Sequence, residues 1–179
     1  MKIAQRAVRA QPFHAMSIGA RARELESRGI RIAKLSLGEP SFGAPPGVHE
    51  AMRATMDGRA LPYTPAAGLP ALRRAVAGLY RDRHGVDVDP RRVLITAGAS
   101  AGLLLATALT TEAGDDVVMA DPCYPCNREL VDTFGGRVVL APTTPAARYQ
   151  LDLATMLEAW TGRTSAVQVA TPSNPTGTT

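Results

Sequence analysis

At 179 residues the chain is long enough for an ordinary domain with its own core. A composition of 45% hydrophobic and 20% charged residues excludes a disordered or fibrous chain and points to a globular fold. The net charge of +4 comes from scattered arginines, paired only at Arg73-Arg74 and Arg91-Arg92, which argues against the concentrated basic stripe of a nucleic-acid binder.

Taken in chain order, Met1 to Gln11 lacks the apolar stretch of a targeting leader. Ser17 to Arg28 is expected to form a helix, with Ser17 as N-cap and Gly29 as its stop. Arg31 to Leu37 alternates in the manner of a short strand and runs into Gly38-Glu39-Pro40. After a Pro- and Gly-rich loop from Ser41 to Gly47, Val48 to Met56 is read as a helix. Leu61 to Gly68 should be irregular. Pro70 to His84 should be a strong helix, with Pro70 in its first turn and Gly85 at its end.

From residue 90 the rhythm becomes strand, helix, strand. Strands are expected at Arg92–Thr96, Asp116–Ala120, Arg137–Leu140 and Ala166–Ala170, and helices at Ser100–Thr110, Tyr124–Phe134 and Leu151–Trp160. Alternation of this kind predicts an α/β fold with a mostly parallel sheet covered on both faces, a three-layer αβα arrangement. The longest apolar run, Ala101 to Leu109, is too short to span a bilayer, so a cytoplasmic protein is expected. The pair Cys123 and Cys126 cannot complete a four-ligand zinc site and is read as two small, partly buried thiols, so no metal is expected.

Three places could carry chemistry. Leu94 to Gly102 takes a strand through a turn of tiny residues straight into a helix. The free N–H groups of such a helix start, with Gly98 and Ala99 allowing close approach and Ser100 adding a hydroxyl, suit a phosphate. The stretch is neither a Walker loop nor a dinucleotide fingerprint, and an ordinary tight turn has the same composition. Tyr124, in Asp121-Pro122-Cys123-Tyr124-Pro125, follows the end of the next strand, where ligands of open α/β sheets sit. Its ring could cover a flat heteroaromatic ligand or pack on its own helix. Asn174, in Ser173-Asn174-Pro175-Thr176-Gly177, offers an amide just past the last strand, or simply forms a turn.

These three elements in this order resemble the class I/II aminotransferases of fold type I, the more so with Leu37-Gly38-Glu39-Pro40 and Tyr63-Thr64-Pro65-Ala66-Ala67-Gly68-Leu69-Pro70. The resemblance runs over nearly the whole chain. It implies pyridoxal 5'-phosphate as cofactor. Gly98, Ala99, Ser100 and Ala101 would form the phosphate cup, Tyr124 would stack on the pyridine ring, and Asn174 would bond the phenolic oxygen. Ala99 and Ala101 stand where many members carry glycine and glutamine. Gly38 is similar to the glycine beside the substrate carboxylate. Tyr63 resembles the tyrosine that reaches a neighbouring subunit's cofactor phosphate, which implies a homodimer.

The resemblance further implies transfer of an amino group between an amino acid and a 2-oxo acid, without nucleic acid or membrane. Lyase or decarboxylase chemistry on the same fold, or a non-catalytic fragment, are the alternatives. Residues 1–45 would form an N-terminal arm and small-domain segment, and residues 46–179 an incomplete cofactor-binding domain. The only lysines, Lys2 and Lys34, lie outside the context of the family's Schiff-base lysine. The chain is therefore expected to stop before that lysine and to be inactive alone.

Overall fold

The computed structural model describes residues 2–179. The chain divides into two compact units. One comprises His14–Ile95, and the other joins the N-terminal residues through Phe13 to Thr96–Thr179. The division falls between Ile95 and Thr96, inside the segment expected to form the larger domain.

The first unit is helical. Helix α2 (His14–Ser27) precedes α3 (Pro46–Thr55) and α4 (Pro70–His84). The last of these has the bounds the sequence predicts, with Pro70 at its start and Gly85 in the left-handed region at its end. Helix α2 starts three residues before the expected cap, because His14, Ala15 and Met16 continue the helix upstream of Ser17. The expected strand at Arg31–Leu37 is absent; this segment bends at Ser36 and Leu37, leaves Leu35 almost fully exposed and has no partner strand among the described residues.

Arg92–Thr96 is not a strand either. Pro90–Arg92 forms a single 3₁₀ turn capped by the Asp89 carboxylate, which accepts from the Arg91 N–H at 2.8 Å. Arg73 Nε donates to the carbonyls of Pro90 (3.0 Å) and Val93 (2.8 Å), fixing the segment against α4. The Ile95 N–H donates to Ala67 O in the preceding loop at 3.1 Å rather than to a strand. The close approach requires Gly68, whose φ is +94° and where an added Cβ would lie 2.4 Å from Ile95 Cγ1. The alternation of apolar residues is real, with Val93 and Ile95 half-buried and Leu94 exposed, but a ladder needs a neighbour to pair with.

The second unit carries the sheet. A short helix α1 (Gln5–Arg9), not expected from the sequence, lies in its N-terminal part. Then follow α5 (Ala99–Thr110), β1 (Asp116–Asp121), α6 (Pro125–Thr133), β2 (Arg137–Pro142), α7 (Leu153–Ala159) and β3 (Thr164–Gln168). The three strands are parallel in the order β2-β1-β3, as the α/β expectation requires. β1 is therefore central. Crossovers between parallel strands are right-handed, and β2 and β3 lie on opposite sides of β1. Helices α6 and α7 are thereby placed on opposite faces, giving the three layers.

Met119, at the middle of the sheet, pairs in register with Leu140 and Gln168. Val117 and Met119 pack with Val131 of α6 to form the core cluster. At the other end of β1, the fully buried Asp116 carboxylate ties β1 to β2 and to the loop that leads into β3. Arg137 Nε and Nη2 donate to its two oxygens at 2.7 and 2.8 Å, the Thr161 hydroxyl donates at 2.5 Å, and Arg163 lies 3.6 Å away. Those contacts, the Arg137 hydrogen bonds foremost, hold the carboxyl well below the usual carboxylate range.

Candidate active site

Because β1 and β3 are parallel neighbours, their carboxyl ends open on the same edge of the sheet. The chain leaves β1 through Pro122 and Cys123 and reaches Tyr124, whose extended backbone (φ −65°, ψ 123°) precedes Pro125 at the start of α6. Leaving β3, it passes Val169 and Ala170 into a tight turn. The Gly177 N–H donates to Ser173 O at 2.7 Å, and the Ser173 N–H to Thr178 O at 2.8 Å. Asn174 rides on this turn.

A cavity of about 150 Å³ lies between the two loops, lined among others by Tyr124, Asn127, Tyr149, Gln168 and Asn174. Two tyrosine rings and four side-chain amides, Gln150 being the fourth, thus share one concavity, a donor and acceptor set suited to a flat polar ligand. Small-molecule sites usually enclose about 300 Å³ or more, so this cavity is small for a whole ligand.

Polar groups flank Tyr124. Arg128 Nε donates to Cys123 Sγ at 3.3 Å, and its Nη2 to Asp121 Oδ1 at 3.0 Å. Both cysteines are free and half-buried. Interaction with the Cys126 thiol, and then partial burial, push the Tyr124 phenol above its ordinary value.

The turn at Gly98–Ala101 forms the start of α5. Gly98 has φ +82°, a conformation that favours glycine, and the helix has no side-chain cap. Among the described residues, no N-cap side chain covers the first N–H groups of α5. The Thr96 hydroxyl donates to Gly98 O at 2.9 Å and shapes the turn.

The structure brings Tyr124 and Asn174 together in one cavity, while Gly98, Ala99, Ser100 and Ala101 lie outside its lining. Gly38 and Tyr63 belong to the helical unit, where both are exposed, Tyr63 completely. Asn127, Tyr149 and Gln168 escaped the sequence reading. Gln168 carried a signal, a lone amide in the otherwise apolar run Ala166 to Ala170. Tyr149 carried none: its left-handed backbone (φ 54°) becomes visible only in three dimensions.

The family described as aminotransferase class I and II matches residues 30–179. The chain belongs to the class I and II aminotransferase family. It is 42% identical over 167 residues to a valine–pyruvate aminotransferase of Mycobacterium tuberculosis, a match covering 93% of this chain and 43% of that protein. With the aspartate/prephenate aminotransferase of Thermus thermophilus it shares 34% identity, again over 93% of this chain and 43% of the relative. Among solved structures, an aspartate aminotransferase from Thermus thermophilus with maleate superposes with a TM-score of 0.92 at 31% identity, covering 98% of this chain and 46% of that one. The chain thus spans less than half the length of these relatives. Its fold is that of the fold type I aminotransferases. Among the described residues, no helix is long and apolar enough to cross a membrane.

Proposed function

We propose that the protein carrying this chain is a pyridoxal-phosphate-dependent aminotransferase that moves an amino group between an amino acid and a 2-oxo acid. The observation that carries the reading is the shared cavity of Tyr124 and Asn174 at the carboxyl ends of β1 and β3.

The donor set fits the cofactor. The Tyr124 ring offers a stacking surface, and the Asn174 amide can donate to a phenolic oxygen. The Gly98 N–H is taken by Thr96 O at 2.9 Å, so of the proposed cup Gly98, Ala99, Ser100 and Ala101 it is the last three that would hold the phosphate through their N–H groups and the Ser100 hydroxyl, with Gly98 allowing the close approach. When bound, the cofactor supplies the electron sink for breaking bonds at the substrate Cα. This chain's contribution is to bind and orient. Gly38 would present its backbone to the substrate carboxylate, and the fully exposed Tyr63 would reach the phosphate in a second subunit of a homodimer.

Lys34 forms an ion pair with Glu26 at 2.7 Å and is half-exposed, an ordinary surface arrangement. The 179-residue chain alone is accordingly expected not to transfer amino groups, nor to retain pyridoxal phosphate after borohydride reduction.

Incubating the whole protein that carries this chain with a ¹⁵N-labelled amino acid, 2-oxoglutarate and pyridoxal phosphate tests the function. Label appearing in glutamate is expected, and Asn174→Ala should weaken cofactor affinity roughly ten- to a hundredfold through the lost charge-assisted hydrogen bond. Release of free ammonia or carbon dioxide without labelled glutamate would overturn the assignment.

A further inference from the structure

Tyr124 sits at the start of α6 with its backbone fixed, but a ring at the mouth of a cavity needs a second contact to hold its plane. That contact comes from the far end of the sequence. Phe13, the last residue of the N-terminal segment, meets Tyr124 edge-to-face, with ring centroids 5.8 Å apart and planes inclined by 71°. Both rings are half-buried. The same N-terminal segment touches α6 again through Arg9 Nη2, which donates to Asp132 Oδ1 at 3.3 Å. That ion pair is exposed on both sides and holds the segment only weakly. The aromatic pair is therefore the more specific of these two links to α6. An edge-to-face contact takes up at most one face of the tyrosine, so it does not by itself prevent a flat ligand from stacking on the other.

We propose that Phe13 is a positioning residue for Tyr124: by packing edge-to-face on the ring, it sets the plane that Tyr124 offers to the cofactor. The proposal rests on the reading of Tyr124 given above. Phe13 makes the N-terminal segment part of the site although it contributes no polar group. Aromatic pairs of this geometry correspond to roughly a two- to tenfold effect on an equilibrium that depends on them.

The test uses Phe13→Leu, Phe13→Trp, Tyr124→Leu and the double variant Phe13→Leu/Tyr124→Leu. Two readouts are taken: pyridoxal phosphate affinity by fluorescence titration, and the near-ultraviolet circular dichroism of the protein without cofactor. Phe13→Leu should weaken affinity about two- to tenfold and remove the part of the tyrosine dichroism that Tyr124→Leu also removes, while Phe13→Trp retains the affinity. In the Tyr124→Leu background, Phe13→Leu should have no further effect on either. An equal loss of affinity from Phe13→Leu in both backgrounds would overturn the proposal, because Phe13 would then act without Tyr124. Unchanged affinity in Phe13→Leu, alongside a loss in Tyr124→Leu, would overturn it as well. If Tyr124→Leu itself leaves affinity unchanged, the cofactor reading is what fails, and the dichroism without cofactor judges the pair. Loss of the tyrosine signal in Phe13→Leu upholds the positioning of the ring, and an unchanged signal overturns it.

Discussion

Val131 is the residue through which α6, and with it Tyr124, is fixed to the sheet. It is 1% exposed and packs on Val117 and Met119 of the central strand. Val131→Ala deletes two buried methyl groups at about 0.8 kcal/mol each from transfer alone, and incomplete collapse of the cavity brings the expected cost to about 2–3 kcal/mol. Gly136 lies on the other side of the same side chain. A Cβ added there would stand 2.9 Å from Val131 Cγ1 and 2.6 Å from Thr111 Cγ2, well inside the ~3.5–4.0 Å of an unstrained carbon contact. Gly136→Ala should therefore cost about 1–3 kcal/mol by overpacking. In the double variant the first clash disappears, because the methyl that causes it is gone, while the clash with Thr111 stays. The double variant should remain less stable than the parent, yet be more stable by about 1 kcal/mol than the sum of the single costs. Urea unfolding followed by the fluorescence of Trp160, the sole tryptophan and a member of the same unit, measures all four proteins. Additivity within about 0.5 kcal/mol would refute the reasoning, since it would mean that Val131 and the Gly136 position do not compete for one space.

Asp116 makes stability pH-dependent in a defined direction. Its folded-state value is depressed, first by the Arg137 hydrogen bonds and then by Thr161, so its contribution is present above the unfolded carboxylate value near pH ~4 and is lost as pH falls through the folded value. Unfolding midpoints measured from pH 7 downward should fall steeply below about pH 4, and Asp116→Asn should flatten that decline; parallel curves for the two proteins would contradict it. Tyr63 is completely exposed in the single chain, so Tyr63→Phe should leave the melting midpoint unchanged while weakening cofactor retention in the assembled protein. Unchanged retention on dialysis would mark the tyrosine as an ordinary surface residue.

The elements legible in the sequence are those whose signals are local. Helix α4 was readable at both ends because Pro70 and Gly85 act on their own backbone, and the buried strand β1 because Val117, Val118 and Met119 leave no other role for the run. The misread segments, 31–37 and 92–96, have the composition and alternation of strands. Pairing, however, is a property of two segments, and the second was not available to them. For 92–96 the competing local interactions are visible: the Asp89 cap and the Arg73 guanidinium hold its first half as a turn and an extended connector.

The site divides along the same line. Gly98 could be read as a helix start because a positive φ before an uncapped helix is written in the run of small residues. Phe13 and Tyr149 could not, since each matters only through a contact with sequence-distant chain. The convergence of Tyr124 and Asn174 stands between these cases. Each follows a strand, but sequence order alone would set β3 beside β2 and put the Asn174 turn one strand further from Tyr124. The observed order, β2-β1-β3, instead brings the third strand back across the first. That reversal makes β1 and β3 neighbours, and their carboxyl ends border the kind of crevice that open α/β sheets form where the strand order reverses. The buried Asp116 carboxylate contacts Arg137 of β2 and both Thr161 and Arg163 just before β3, so it fixes this order at the opposite edge of the sheet. The chemistry proposed for Tyr124 and Asn174 therefore depends on a structural carboxylate that lies at the far end of β1 and lines no part of their cavity.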